Sequence, residues 1–250
     1  MRNNTSFHIG SLILINKVDS KYNLFDSLFA PLRGKAKHLI ESVKMFINNR
    51  LDKCAAVSKI LEIYAEEWFM CLGFGEKPKE RTMYRDLGRI GSNYKFVVEK
   101  FQQILKKYNL VDVIQFLDYS SSYFEGNNSE LGALGYSRDS QPSKKQLTFG
   151  ISTGMNGIPS ALTVQKGNVQ DKEHMNFMLK VVGKVLEKGS LVIFDCGGNT
   201  EDNKAKILLM ELNYLTLKQR YKGTYKKYIE LYKSSPKEVF YVEVFENHAL

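Results

Sequence analysis

Near Asn109 the spacing of apolar residues changes period, and that switch restricts the chain to a helical segment followed by a sheet with interleaved helices. Before it, from about Lys35, apolar residues recur at helical spacing. Leu39, Ile40, Val43, Phe46 and Ile47 form one face, and Val57, Ile60, Leu61, Tyr64, Trp68 and Phe69 form another. Ser58 is placed to cap the second helix, and Gly73, Gly75 and Pro78 break the run. Thr82 and Ser92 can cap two further helices, the last with Val97, Phe101, Ile104 and Leu105 on one side. Lys77, Lys79, Arg81, Arg85 and Arg89 cluster around the third helix. This segment reads either as a helical cap on a larger unit or as a domain that binds DNA ends.

Beyond Asn109, residues 111–118 form a buried-type strand that closes on an acid, Asp118. Residues 146–152 and 161–165 are a second and a third strand, with Gly157-Ile158-Pro159 turning the chain between them. A helix over 174–186 follows, then an apolar strand over 191–195 closing on Asp195, a helix over 202–212 and a strand over 214–217. Strands in hairpin succession, then helix–strand–helix–strand, predict an α/β (mixed α+β) fold with helices on the faces of the sheet. The expected division is a helical segment over 1–109 and a sheet-bearing segment over 110–250.

Hydrophobic residues make up 43% and charged residues 25%, the balance of a soluble globular protein. The net charge of +9 favours a polyanionic partner, since every phosphate neutralised releases counterions. A basic housekeeping enzyme fits that charge equally well. Cys54, Cys71 and Cys196 form no paired framework, which points to a reducing compartment. The apolar run at 12–15 is too short for a leader or a membrane span, so the expectation is a cytoplasmic protein with no membrane partner.

Asp118 and Asp195 occupy the same kind of position, each closing an apolar strand and each followed by small or polar residues. Adjacent strands end side by side, so two such acids can converge on one cation. Their mutual repulsion is offset when a hard divalent ion lies between them. Mg²⁺ suits such a site because it needs few carboxylates and keeps positions for phosphate and water, and Mn²⁺ can stand in for it. The local alternative is that each Asp merely caps the turn after its strand.

Leu117-Asp118-Tyr119-Ser120, Phe124-Glu125-Gly126, Gly135-Tyr136-Ser137-Arg138-Asp139, Pro142, Gln146 and Phe149-Gly150-Ile151 occur in order. Gly157-Ile158-Pro159, Gly167-Asn168-x-x-Asp171, Phe194-Asp195-x-Gly197 and Glu201-Asp202-Asn203 continue the series. This ordered set, over about residues 112 to 220, resembles the core of DDE insertion-sequence transposases of the insertion-sequence-4-like group. The resemblance implies an RNase H-like core and magnesium-dependent DNA cleavage and strand transfer at element ends. It implies double-stranded DNA as partner, a homo-oligomer on that DNA, and metal-binding catalytic roles for Asp118 and Asp195. Arg138, Lys144 and Lys145 fall where that family faces DNA, although a solvated hairpin loop would look the same.

One departure matters. The family's third acid is a Glu within a Tyr-x2-Arg-x3-Glu-x6-Lys pattern, and after Asp195 the only Arg is Arg220, with Thr at 224. Glu230, Glu243 and Glu246 lack the pattern's neighbours. The expectation is a core that is incomplete at its C-terminus, ending inside an inserted β-rich region around the strand-like residues 238–244. The competing functions are an inactive DNA-binding relative that occupies element ends, and an RNase H-like nuclease unrelated to transposition.

Overall fold

The first half of the chain is helical because its apolar residues recur every three to four positions, so that each helix can bury a stripe against its neighbours. The computed structural model describes residues 8–126, 129–136, 141, 143–217, 226, 229, 230, 233 and 234. Helices α1 (Gly10–Tyr22), α2 (Leu24–Phe29), α3 (Leu39–Asp52), α4 (Ile60–Ile63), α5 (Glu66–Leu72), α6 (Glu80–Ser92) and α7 (Tyr94–Lys107) succeed one another. Ile15, Phe25, Leu28, Leu39, Val43 and Ile104 make one core, drawn from α1, α2, α3 and α7. Leu12, Met45, Ile60, Trp68, Phe69 and Met83 make a second.

Three local features differ from the sequence reading. Helices α1 and α2 lie upstream of residue 35, where the helical pattern was expected to begin. The helix expected to run through Tyr64 is broken there: Tyr64 is extended at φ −95° and ψ 135°, and α5 restarts after it. The break lets the Tyr64 ring stack on Trp68 at 4.2 Å and its hydroxyl donate to Asp52 at 3.2 Å. Ser58 lies in a 3-10 turn, and Lys79 and Asn93 hold the cap positions expected for Thr82 and Ser92.

Strands β1 (Ile114–Tyr123), β2 (Gln146–Gly154), β3 (Pro159–Lys166), β4 (Leu191–Phe194) and β5 (Asn213–Thr216) form one mixed sheet in the order β3-β2-β1-β4-β5. The β1-β2-β3 meander is antiparallel, while β4 runs parallel to β1 and β5 parallel to β4. The fold is therefore the expected mixed α/β arrangement. Helices α8 (Asp171–Val182) and α9 (Glu201–Leu209) bury Met175, Met178, Leu179, Val182 and Ile207 against Leu117, Tyr119, Val192 and Phe194. The expectation of helices on the sheet's faces is met on that side. The other carries Phe116, Asp118, Ile151, Leu162 and Leu215, all exposed among the described residues.

Helix α7 ties the two halves together. The buried Gln102 amide donates to the Ser160 carbonyl at 2.8 Å and the Val181 carbonyl at 3.0 Å. Gln102→Ala strands one buried and one half-buried acceptor and is expected to cost roughly 1–3 kcal/mol, read as a lower urea midpoint. An unchanged midpoint would show that the two halves do not depend on this link.

Candidate active site at the sheet edge

Strand pairing brings the two sequence-predicted acids into line. In the parallel β1–β4 ladder the last register pair is Leu117 with Phe194, and Asp118 and Asp195 each follow by one residue. Asp118 lies on β1 and Asp195 just past the end of neighbouring β4, where strand spacing is about 4.8 Å. Both residues are exposed. Asp195 directly follows β4, as expected. Asp118 does not close its strand, because β1 continues five residues to Tyr123 on its antiparallel pairing with β2. What ends at Leu117 is the pairing with β4, so Asp118 stands where β1 loses its neighbour on one side and the sheet opens to solvent.

Each carboxylate accepts a local backbone hydrogen bond. Asp118 Oδ1 accepts from the Tyr119 backbone N–H at 2.8 Å, and Asp195 Oδ1 accepts from the Gly197 N–H at 3.0 Å. The turn-capping role that sequence allows thus engages one oxygen of Asp195. Behind the pair, buried Tyr119 reaches α8, with its hydroxyl 2.9 Å from Met175 Sδ and its ring 5.0 Å from His174. Burial pushes ionisation of that hydroxyl far upward, and Asp171, Asp195 and Asp118 push in the same direction. The phenol stays neutral, disfavoured as an anion first by burial and then by the negative charge of the three aspartates.

Asp171, the first residue of α8, is the member that sequence reasoning did not assign to the site. A Cβ built on Gly197 would sit 2.9 Å from Asp171 Oδ2 and 3.2 Å from Asp195 Oδ1, so both carboxylates border the same turn. The Gly167-Asn168-x-x-Asp171 block was the available signal. Among the described residues no group of three or more His, Cys, Asp or Glu side chains is arranged to hold a metal ion. Two exposed carboxylates on adjacent strands do suit Mg²⁺, which binds through one or two carboxylates and fills its remaining positions with water and phosphate oxygens.

The expected DNA contacts fare differently. Arg138 lies outside the described residues. Lys144 is committed locally: its ammonium pairs with Glu125 at 2.5 Å, lies 4.8 Å from the centre of the Tyr123 ring, and has its pKa raised chiefly by the Glu125 hydrogen bond. Lys145 is half-buried, and its carbonyl accepts from Phe124 N–H at 2.8 Å. Of the stand-ins for a third acid, Glu230 is exposed and helical, while Glu243 and Glu246 lie outside the described residues. On α6, Arg81, Tyr84 and Arg85 are exposed, but Arg89 turns inward to donate to the Leu32 and Arg33 carbonyls at 3.1 and 2.8 Å. It therefore leaves the basic surface that the sequence suggested.

The chain matches no protein-family model and no curated protein. Among solved structures it is similar to a piggyBac transposase in a synaptic complex with hairpin DNA, at 10% identity and a TM-score of 0.42. The likeness covers 74% of this chain and 42% of that one, so this chain spans about two fifths of that protein's length, and a likeness this slight bears no weight for fold or function.

Proposed function

We propose that this chain is a DNA-cleaving enzyme of the DDE transposase class, acting with Mg²⁺ on double-stranded DNA at element ends. The observation that carries the reading is the adjacency of Asp118 and Asp195 at the exposed C-terminal end of the parallel β1–β4 ladder, in a chain of net charge +9. The two aspartates would hold the metal. The bound ion would supply Lewis-acid stabilisation of a phosphodiester oxygen and a lowered pKa for an attacking water. Rigid strands would hold the two carboxylates in place despite their repulsion, and neutral Tyr119 adds no further negative charge behind them. Electrostatic attraction to DNA falls to the exposed basic side chains, Arg81 and Arg85 of α6 among them.

A second reading is a non-catalytic DNA-binding protein, which fits the net charge of +9 equally well and needs no metal at the aspartates. Incubation of the purified chain with duplex DNA and Mg²⁺ or Mn²⁺ separates the two. Nicking is expected on the first reading, and salt-sensitive binding without nicking on the second. On either reading, Arg81→Ala and Arg85→Ala should each flatten the dependence of log affinity on log salt by about 0.9. An unaltered slope would remove α6 from the DNA surface.

A further inference from the structure

The start of α8 is tied to the turn that follows β4. Asn203 of α9, 1% exposed, donates from Nδ2 to the Lys172 carbonyl at 3.0 Å and to the Gly198 carbonyl at 2.9 Å. This strap fixes Asp171 relative to Asp195 across a narrow gap at Gly197. Asp171 Oδ2 and Asp195 Oδ1 both lie within 3.2 Å of the point that a Cβ on Gly197 would occupy. Two carboxylate oxygens facing one small space repel unless a cation or a hydrogen-bond donor lies between them. A second, independent group points to a polar occupant. Ser121 opens on the same space as Asp171 and Gly197, and its buried Oγ, in a residue 9% exposed, has no hydrogen-bond partner among the described residues. A buried hydroxyl without a partner is costly unless a water or ligand completes it.

We propose that Asp171 is a positioning residue for the divalent ion of Asp118 and Asp195, accepting a hydrogen bond from one of that ion's waters in the Gly197 gap. The inference rests on the DNA-cleaving reading above. Among the described residues Asp171, Asp118 and Asp195 do not form a group able to hold one ion directly, so the contact runs through water. Mg²⁺ and Mn²⁺ sites of this kind keep several waters, and a carboxylate accepts strongly from a water polarised by a cation. An ion about 2.1 Å from one carboxylate oxygen, with a water hydrogen-bonded to the other, bridges two oxygens this close. Glycine at 197 keeps the gap open, and the Asn203 strap sets its width. A partner beyond the direct ligands orients the ion's shell, and its loss costs about 10–100-fold in metal affinity.

The test titrates the full chain with Mn²⁺ by electron paramagnetic resonance, with water-proton relaxation counting the waters on the bound ion. Asp171→Asn removes the charge across the gap. Gly197→Ala puts a methyl group into it, where the obstacle is an aspartate side chain and not backbone. Each variant should bind Mn²⁺ about tenfold more weakly while keeping the site. In Asp171→Asn the bound ion should carry the wild-type number of waters. Thermal melting reports that each variant is folded, and Asp171→Asn decides alone if Gly197→Ala is not. Wild-type affinity in either folded variant overturns the proposal. An additional water on the ion in Asp171→Asn also overturns it, because that marks Asp171 as a direct ligand. Binding lost in Asp118→Asn and Asp195→Asn but unchanged in Asp171→Asn overturns this inference and leaves the metal reading standing. A wild-type chain that takes up no Mn²⁺ removes both together.

Discussion

Replacing either Asp118 or Asp195 by Asn should abolish metal-dependent nicking, lowering the rate by about 10³-fold or more, while leaving unfolding unchanged. Asn keeps the shape and the ability to accept the local backbone N–H, so the Tyr119 and Gly197 contacts survive. It removes the charge that would hold a divalent ion, whose contribution to a phosphoryl transition state is several kcal/mol. Both residues are exposed, and no core packing depends on them. Equal losses for the two variants, with binding of paired duplex retained, would support a shared role. A variant that nicks at the wild-type rate would remove its residue from the chemistry.

Gly167→Ala should lower the unfolding free energy by about 3 kcal/mol, the upper part of the range for overpacking where backbone is the obstacle. A Cβ there would collide with the Gln146 carbonyl oxygen and press on that of Ala133, and neither is the far end of a flexible side chain. The same movement would pull apart the Ala133–Gln146 bridge, whose two backbone bonds measure 3.1 and 2.9 Å. The urea midpoint reads the cost, and a midpoint equal to wild type would show that the strap yields freely.

The sheet was legible because its strands are short apolar runs separated by turn residues, and the switch from hairpins to helix–strand units forces a mixed ladder. Its edges were less so. Ser120-Ser121-Ser122 looks like a loop by composition, yet it is strand, since β2 supplies its hydrogen bonds through Phe149, Thr148 and Leu147. The serine run therefore makes Asp118 look like a strand end in sequence. The convergence of Asp171 on Asp195 is invisible in sequence because it depends on where α8 docks against the 195–198 turn. Composition likewise counts Arg89 as surface charge, whereas two carbonyls of the 32–33 turn claim its guanidinium. The break at Tyr64 is tertiary too, set by the ring stack on Trp68 rather than by helix propensity.

Asp118 and Asp195 together should bind a divalent cation, which is read by titrating the full chain with Mn²⁺ and following the free ion by electron paramagnetic resonance. Specific binding that is lost in both Asp118→Asn and Asp195→Asn is the predicted result. Binding that persists undiminished in both variants, or a wild-type chain that binds paired duplex yet takes up no Mn²⁺, would contradict it.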